Sequence, residues 1–71
     1  MAARLEWENG ALVAYEVAIA NVSKRGDDWV YVARVDGRRI VSPPYESEAD
    51  CRQDCMAEVR RLLKEAGVDC E

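Results

Sequence analysis

The cysteines are the side chains of this 71-residue sequence whose spacing could support metal or redox chemistry. Cys51 and Cys55 stand four residues apart, so a helix over this stretch would place both on one side. The pair could bind a metal or form a redox couple, or it could be two small buried apolar residues. There is no histidine and no C-x-x-C spacing, so we expect neither a metal site nor a cofactor. With Cys70 the count is odd, which predicts reduced thiols and a cytoplasmic location.

Catalytic chemistry finds little support among the other side chains. General acid–base catalysis most often uses histidine, and the sequence also lacks a nucleophile elbow, a phosphate-binding glycine loop and zinc-ligand spacing. The carboxylates of the C-terminal third fit the solvated face of a predicted helix: Glu46, Glu48, Asp50, Asp54 and Glu58. We therefore predict that the protein is not an enzyme and has no catalytic residues.

Basic side chains concentrate in the middle of the chain, although the net charge of the whole chain is −4. They are Lys24, Arg25, Arg34, Arg38 and Arg39. Arginine beside aromatic residues on an open sheet can grip phosphates and stack on bases, so these five are candidates for nucleic-acid binding. The acidic total argues against strong non-specific affinity for nucleic acid. The other interpretation is that the basic residues keep turns and sheet edges soluble.

Two hairpin turns position these residues. Asn9-Gly10 and Asp36-Gly37 each tolerate the positive φ angles of a type I′ turn, and each lies between segments rich in strand-forming residues. A two-residue turn at Asp36-Gly37 places Arg34 directly opposite Arg39, which is a like-charge pair that costs some stability. Between the turns, residues 12–22 alternate large and small side chains, which predicts one strand, while the alanines leave a helix open.

A helix is predicted to begin at Ser47, whose hydroxyl can cap the first turn. Gly67 is a natural left-handed stop, after which Val68 can fold back on Leu63. An apolar stripe at helical spacing joins these ends. Its members are Cys55, Met56, Val59, Leu62, Leu63 and Ala66.

Together these elements predict a single small α+β domain over residues 1–71. It is an antiparallel meander of three to four strands packed against one C-terminal helix, in the order β-β-β-β-α. No apolar run approaches the roughly 20 residues of a membrane span, and no hydrophobic signal core opens the chain, so we expect no membrane contact.

The predicted sheet carries apolar side chains on both faces, and a single helix can cover only one of them. An exposed apolar patch rimmed by charge is typical of a protein contact. We therefore predict a protein-interaction module that binds another protein or a second copy of itself, through the open sheet face or an edge. The candidate interface residues are Val30, Val32, Val41 and Trp7.

Residues 29–63 carry a resemblance to a known family. An aromatic-rich strand, a glycine turn, a short strand and the helix start Tyr45-Glu46-Ser47 follow one another. This layout resembles the small bacterial YegP-like domains, and the resemblance implies their fold rather than an activity. The same segment is similar to the arm-binding domains of tyrosine recombinases, which place a three-stranded sheet on one helix. That similarity implies DNA reading by the sheet.

Overall fold

Residues 4–68, which the computed structural model describes, form a five-stranded antiparallel sheet followed by one helix. The elements are β1 Glu6–Glu8, β2 Ala11–Ala14, β3 Val17–Arg25, β4 Asp28–Val35, β5 Arg38–Val41 and α1 Glu48–Glu65. The strands lie in chain order across the sheet, so β1 and β5 are its edges. The predicted α+β class, with its antiparallel meander and one C-terminal helix, is confirmed, and the sheet has one strand more than predicted.

The two glycine turns form hairpins where the sequence predicts them. Asn9 and Gly10 have φ angles of 50° and 85°, and Asp36 and Gly37 have φ angles of 53° and 76°. Such pairs of positive angles belong to type I′ turns, whose twist matches that of the paired strands. In the second hairpin Arg34 lies opposite Arg39, as predicted.

The additional strand arises because residues 12–22 do not form one strand, and the helical alternative for this segment is also wrong. Tyr15 and Glu16 have φ angles of 52° and 65° and make a tight turn between β2 and β3. Neither residue favours positive φ, so the sequence carries no turn signal at this point. The alternation of large and small side chains continues through the turn and suggests a continuous strand.

A bulge follows this turn in β3 and changes which side chains share a face. Leu12 pairs with Ala20 whereas Val13 pairs with Ala18, so Ile19 is an extra residue in β3. A bulge of this kind increases the local twist and re-aims the side chains beside it. Ala18 therefore lies beside Val13, whereas an unbroken alternation would place it on the face of Ala20.

The helix begins and ends where its capping residues indicate. The Ser47 hydroxyl accepts a hydrogen bond from the Asp50 amide at 3.3 Å. At the other end Gly67 has a φ angle of 82°, and the Val68 amide donates to the Leu63 carbonyl at 2.8 Å. This closes the helix in the manner of a Schellman motif. Within residues 4–68 the helix lacks the apolar run that a membrane crossing requires.

The hydrophobic core lies between the helix and one face of β2, β3 and β4. Its buried residues are Leu12, Ala20, Val22, Tyr31, Ala33, Val35, Cys51, Cys55, Val59, Leu62 and Leu63. Ala20 and Ala33 are cross-strand partners directly beneath the helix, and their small side chains let it approach the sheet closely. The core occupies one side of the sheet. On the other side Val30 is buried, and no helix or further strand among residues 4–68 covers the rest.

Ser42 terminates the sheet beside two prolines that cannot donate to a strand ladder. Its hydroxyl accepts a hydrogen bond from the Tyr31 amide at 2.8 Å and donates to the Pro43 carbonyl at 2.9 Å. Its amide also donates to the Tyr31 carbonyl at 2.9 Å. This one buried serine therefore supplies hydrogen-bond partners for both the amide and the carbonyl of Tyr31 in β4, just beyond the end of β5.

Candidate binding surface

The sheet face turned away from the helix, which we name the open face, is assembled from two rows of cross-strand neighbours. One row follows the register through Glu8, Ala11, Asn21, Val32 and Val41. The next row contains Glu6, Val13 and Ala18 on the first three strands and Arg34 with Arg39 on the last two. Because side chains alternate along each strand, these residues point to the side opposite the core. The face therefore spans all five strands.

The half of the open face formed by β4 and β5 is basic. Arg34 and Arg39 are both exposed and directly opposite one another. Neither arginine forms an ion pair with any carboxylate of residues 4–68. They border a shallow hollow of about 290 Å³, which is also lined by Ala18, Ile19, Asn21 and Val32. Two uncompensated guanidinium groups beside apolar side chains form a site that suits an anionic group.

The half formed by β1, β2 and the turn between β2 and β3 is acidic. A hollow of about 500 Å³ is lined by Arg4, Glu6, Glu8, Val13, Tyr15 and Glu16. Arg4 Nε lies 3.2 Å from Glu6 Oε1, whereas Glu8 and Glu16 form no ion pair within residues 4–68. Three carboxylates and one guanidinium leave this half with two net negative charges. A carboxylate-lined hollow with a tyrosine at its rim suits a cationic group.

The acidic half is the part of the surface that the sequence reasoning missed. Glu6 and Glu8 flank Trp7 in β1, and this alternation already places both carboxylates on the side opposite the tryptophan. Tyr15 and Glu16 carry no such signal because the turn that presents them lacks turn-favouring residues. Tyr15 is 60% exposed and has a positive φ angle, which is uncommon for a large side chain.

The five basic candidates do not come together in the structure. Only Arg34 and Arg39 lie side by side on the open face. Lys24 and Arg25 lie at the far end of β3, where Lys24 pairs with Trp29, about 17 Å along β4 from Arg34. Arg38 points to the helix side, and its Nη1 lies 3.5 Å from Glu65 Oε2.

The interface candidates divide between the two faces. Val32 and Val41 are cross-strand partners on the open face, where Val41 is 51% exposed. Val30 lies on the same side of β4 but is buried. Trp7 lies on the helix side, where it is half-buried and the Arg52 guanidinium lies 4.8 Å from its ring centroid. The structure thus places Val32 and Val41 beside Arg34 and Arg39 and places Trp7 elsewhere.

The cysteine pair lies within the core. Cys51 and Cys55 are fully buried free thiols on the inner face of α1. Burial raises the pKa of Cys55 to about 12 and also raises the pKa of Cys51, so both thiols stay protonated at neutral pH. Across residues 4–68 no group of three metal-ligating side chains could hold an ion. Cys70 lies outside the described residues.

Tyr45 extends the sheet edge beside these thiols. Its backbone exchanges two hydrogen bonds of 2.8 Å with Trp29, and its ring stacks on Tyr31 with centroids 6.2 Å apart. Hydrogen bonding to the Asp54 carboxylate raises the pKa of Tyr45 well above its ordinary value. These contacts of Tyr45 hold the segment that connects β5 to the helix against β4.

Comparison of the chain with protein-family models, curated proteins and solved structures finds no match. The resemblance to YegP-like domains and the similarity to recombinase arm-binding domains stay predictions.

Proposed function

We propose that the protein is a non-enzymatic protein-interaction module of the bacterial cytoplasm that binds through its open sheet face. The observation that carries this proposal is the row of Val32 and Val41 beside an arginine pair without a counter-charge in residues 4–68. Apolar side chains rimmed by charge favour a protein contact.

The energetics of the arginine pair support the same function. Arg34 and Arg39 repel one another across the β4–β5 ladder, and this repulsion lowers the stability of the chain by a few tenths of a kcal/mol. A carboxylate from a bound protein would neutralise the pair and turn the repulsion into charge-assisted hydrogen bonds. The pair is therefore better suited to a bound state than to the free chain.

Substitutions that place charge on the apolar part of the face test this proposal. Val32→Lys combined with Val41→Lys puts two ammonium groups where the apolar contact lies. The matched control, Ala57→Lys with Ala66→Lys, adds the same charges at exposed positions of the helix and its C-terminal cap. Circular dichroism first establishes that both variants fold.

Affinity capture and sedimentation then compare the three proteins. We expect wild-type chain and control to show the same self-association and the same captured proteins, and the open-face variant to lose them. If the open-face variant retains every contact of the wild type, the proposed function is wrong.

Nucleic-acid binding is the second candidate, and the free charge of Arg34 and Arg39 is the observation that favours it. The carboxylates of Glu6, Glu8 and Glu16 on the same side of the sheet oppose it because they repel phosphate. A labelled oligonucleotide titrated at low salt tests this candidate. Affinity that falls with added salt and disappears with Arg34→Ala and Arg39→Ala would support it, and absence of binding would exclude it.

A further inference from the structure

The two charged halves of the open face carry net charges of equal size and opposite sign. The acidic half has two net negative charges from Glu6, Glu8 and Glu16 with Arg4, and the basic half has two positive charges from the arginine pair. The halves lie towards opposite edges of the sheet, with apolar and amide side chains between them. When a second copy is rotated by a half-turn and placed against this surface, each charged half faces the half of opposite sign.

We propose that the open face binds a second copy of this chain, with the acidic half of each copy against the basic half of the other. This inference rests on the proposed function and specifies the occupant of the face. The two-fold axis runs parallel to β3 and lies between the two sheets, so each strand meets its counterpart in reverse order across the sheet. The edge strand β1 of one copy then lies over β5 of its partner.

The register of the strands shows which side chains this rotation brings together. A rotation about an axis parallel to the strands leaves positions along the strands unchanged. The row that contains Glu6 and Arg39 therefore faces the same row of the other copy, with the strands in reverse order. Glu6 of one copy lies over Arg39 of the other, and Val13 lies over Arg34. Asn21, in the central strand, lies over the Asn21 of the other copy. Each contact occurs twice, as an isologous interface requires.

The alternative axis, perpendicular to the strands, is disfavoured by charge. It would place β1 over β1 and β5 over β5, so that carboxylates met carboxylates and arginines met arginines. Like charges facing one another across an interface oppose association. Both arrangements keep the strands of the two sheets roughly aligned, as face-to-face packing of twisted sheets requires, so charge decides between them.

The size of the face sets the strength of the association. Five strands about 4.8 Å apart span roughly 20 Å, and strands of this length give a face of roughly 400 Å² per copy. A standard interface buries about 800 Å² per partner, so the dimer is a weak one that forms at micromolar or higher concentration. Because exposed charges guide it, added salt weakens it.

A pair of opposite charge variants tests both the occupant and its orientation. The acidic variant carries Arg34→Glu and Arg39→Glu, and the basic variant carries Glu6→Arg and Glu8→Arg. Each should sediment as a monomer because both halves of its open face then have the same sign. An equimolar mixture should form a heterodimer, since the acidic open face of one variant then meets the basic open face of the other. Arg60→Glu with Lys64→Glu, on exposed positions of the helix, controls for net charge and should dimerise like the wild type.

The outcomes separate this inference from the proposed function. Sedimentation of the wild type as a monomer up to roughly 1 mM would overturn the inference and leave the capture experiment to decide the proposed function. Two monomeric variants whose mixture stays monomeric would overturn the orientation that the inference specifies. If the wild type dimerises, and both charge variants and the variant with Val32→Lys and Val41→Lys still sediment as dimers, the inference and the proposed function are both wrong.

Discussion

Arg39→Glu should stabilise the isolated chain, although Arg39 belongs to the surface that we propose for binding. The substitution replaces the like-charge pair with Arg34 by an attractive pair of cross-strand neighbours. Cross-strand pairs are worth roughly 0.2–1 kcal/mol each, so removing a repulsion and adding an attraction gives about 1 kcal/mol. Both side chains are exposed, which keeps each of the two contributions below the upper end of this range.

The corresponding change in melting temperature is large enough to measure. Unfolding a domain of this length has an entropy of roughly 150 cal/mol/K, so about 1 kcal/mol raises Tm by about 7 °C. Thermal unfolding followed by circular dichroism should be run at a protein concentration low enough to keep the chain monomeric. At roughly 1 M salt, where the Debye length is about 3 Å, most of the difference should disappear.

A second arginine in the same sheet provides the matched control. Arg25 lies opposite Asp28 in the β3–β4 ladder, so Arg25→Glu converts an attractive pair into a repulsive one. It should lower Tm at low salt, in contrast to Arg39→Glu. If Arg39→Glu lowers Tm or leaves it unchanged while Arg25→Glu behaves as expected, the arginine pair is not an uncompensated repulsion and its energetics do not favour a bound state.

Three further perturbations test other parts of the structure. Ser42→Ala leaves a buried β4 amide without its acceptor and should lower the free energy of unfolding by about 1–3 kcal/mol, as measured by urea denaturation. Tyr15→Asn with Glu16→Gly removes the strain of two positive φ angles and should raise the free energy of unfolding by about 1–2 kcal/mol in the same assay. Burial raises the pKa of Cys55 to about 12 and that of Cys51 in the same direction, so stability should fall as pH rises from about 9 towards 12. Unfolding measured across this pH range should show the decline.

Each of these perturbations has a control. Ser23→Ala removes a hydroxyl from an exposed strand position and should change stability little, so an equal loss in both serine variants would contradict the role of Ser42. Asn9-Gly10 already has the turn-favouring sequence, and exchanging it for Tyr-Glu should destabilise the chain. The sign of the thiol effect follows from the unfolded state, which releases its thiol protons first as pH rises. Cys55→Ala should flatten the decline, and an unchanged slope would show that the thiol is not the group responsible.

The second hairpin and the helix could be predicted almost residue by residue because local chemistry fixes them. Asp36-Gly37 permits one turn type, and that turn sets the register that places Arg34 opposite Arg39. Ser47 and Gly67 satisfy the helix ends through side-chain and left-handed backbone geometry that few other residues provide.

The turn between β2 and β3 and the bulge in β3 depend on long-range interactions that no short sequence pattern predicts. Tyr15 and Glu16 turn the chain at a cost in backbone energy, which the pairing of β2 with β3 offsets. The extra residue Ile19 then decides that Ala18 joins Val13 on the open face. Side-chain alternation read along the chain cannot locate such a change of phase, so the sequence predicts an open face without predicting how its charges are arranged.

Nuclear magnetic resonance of the labelled chain tests the central claim, that the open face is the binding surface, most directly. Backbone amide shifts should be compared between roughly 10 µM and 1 mM protein, and again with any protein that the chain captures. We expect the perturbed amides to lie on the open face, around Val32 and Arg39 and, in the concentration series, around Glu6 of β1 as well, while those near Arg60 and Lys64 on the outer face of the helix stay unchanged. Perturbations centred on the outer face of the helix, with the open face unaffected, would contradict the account.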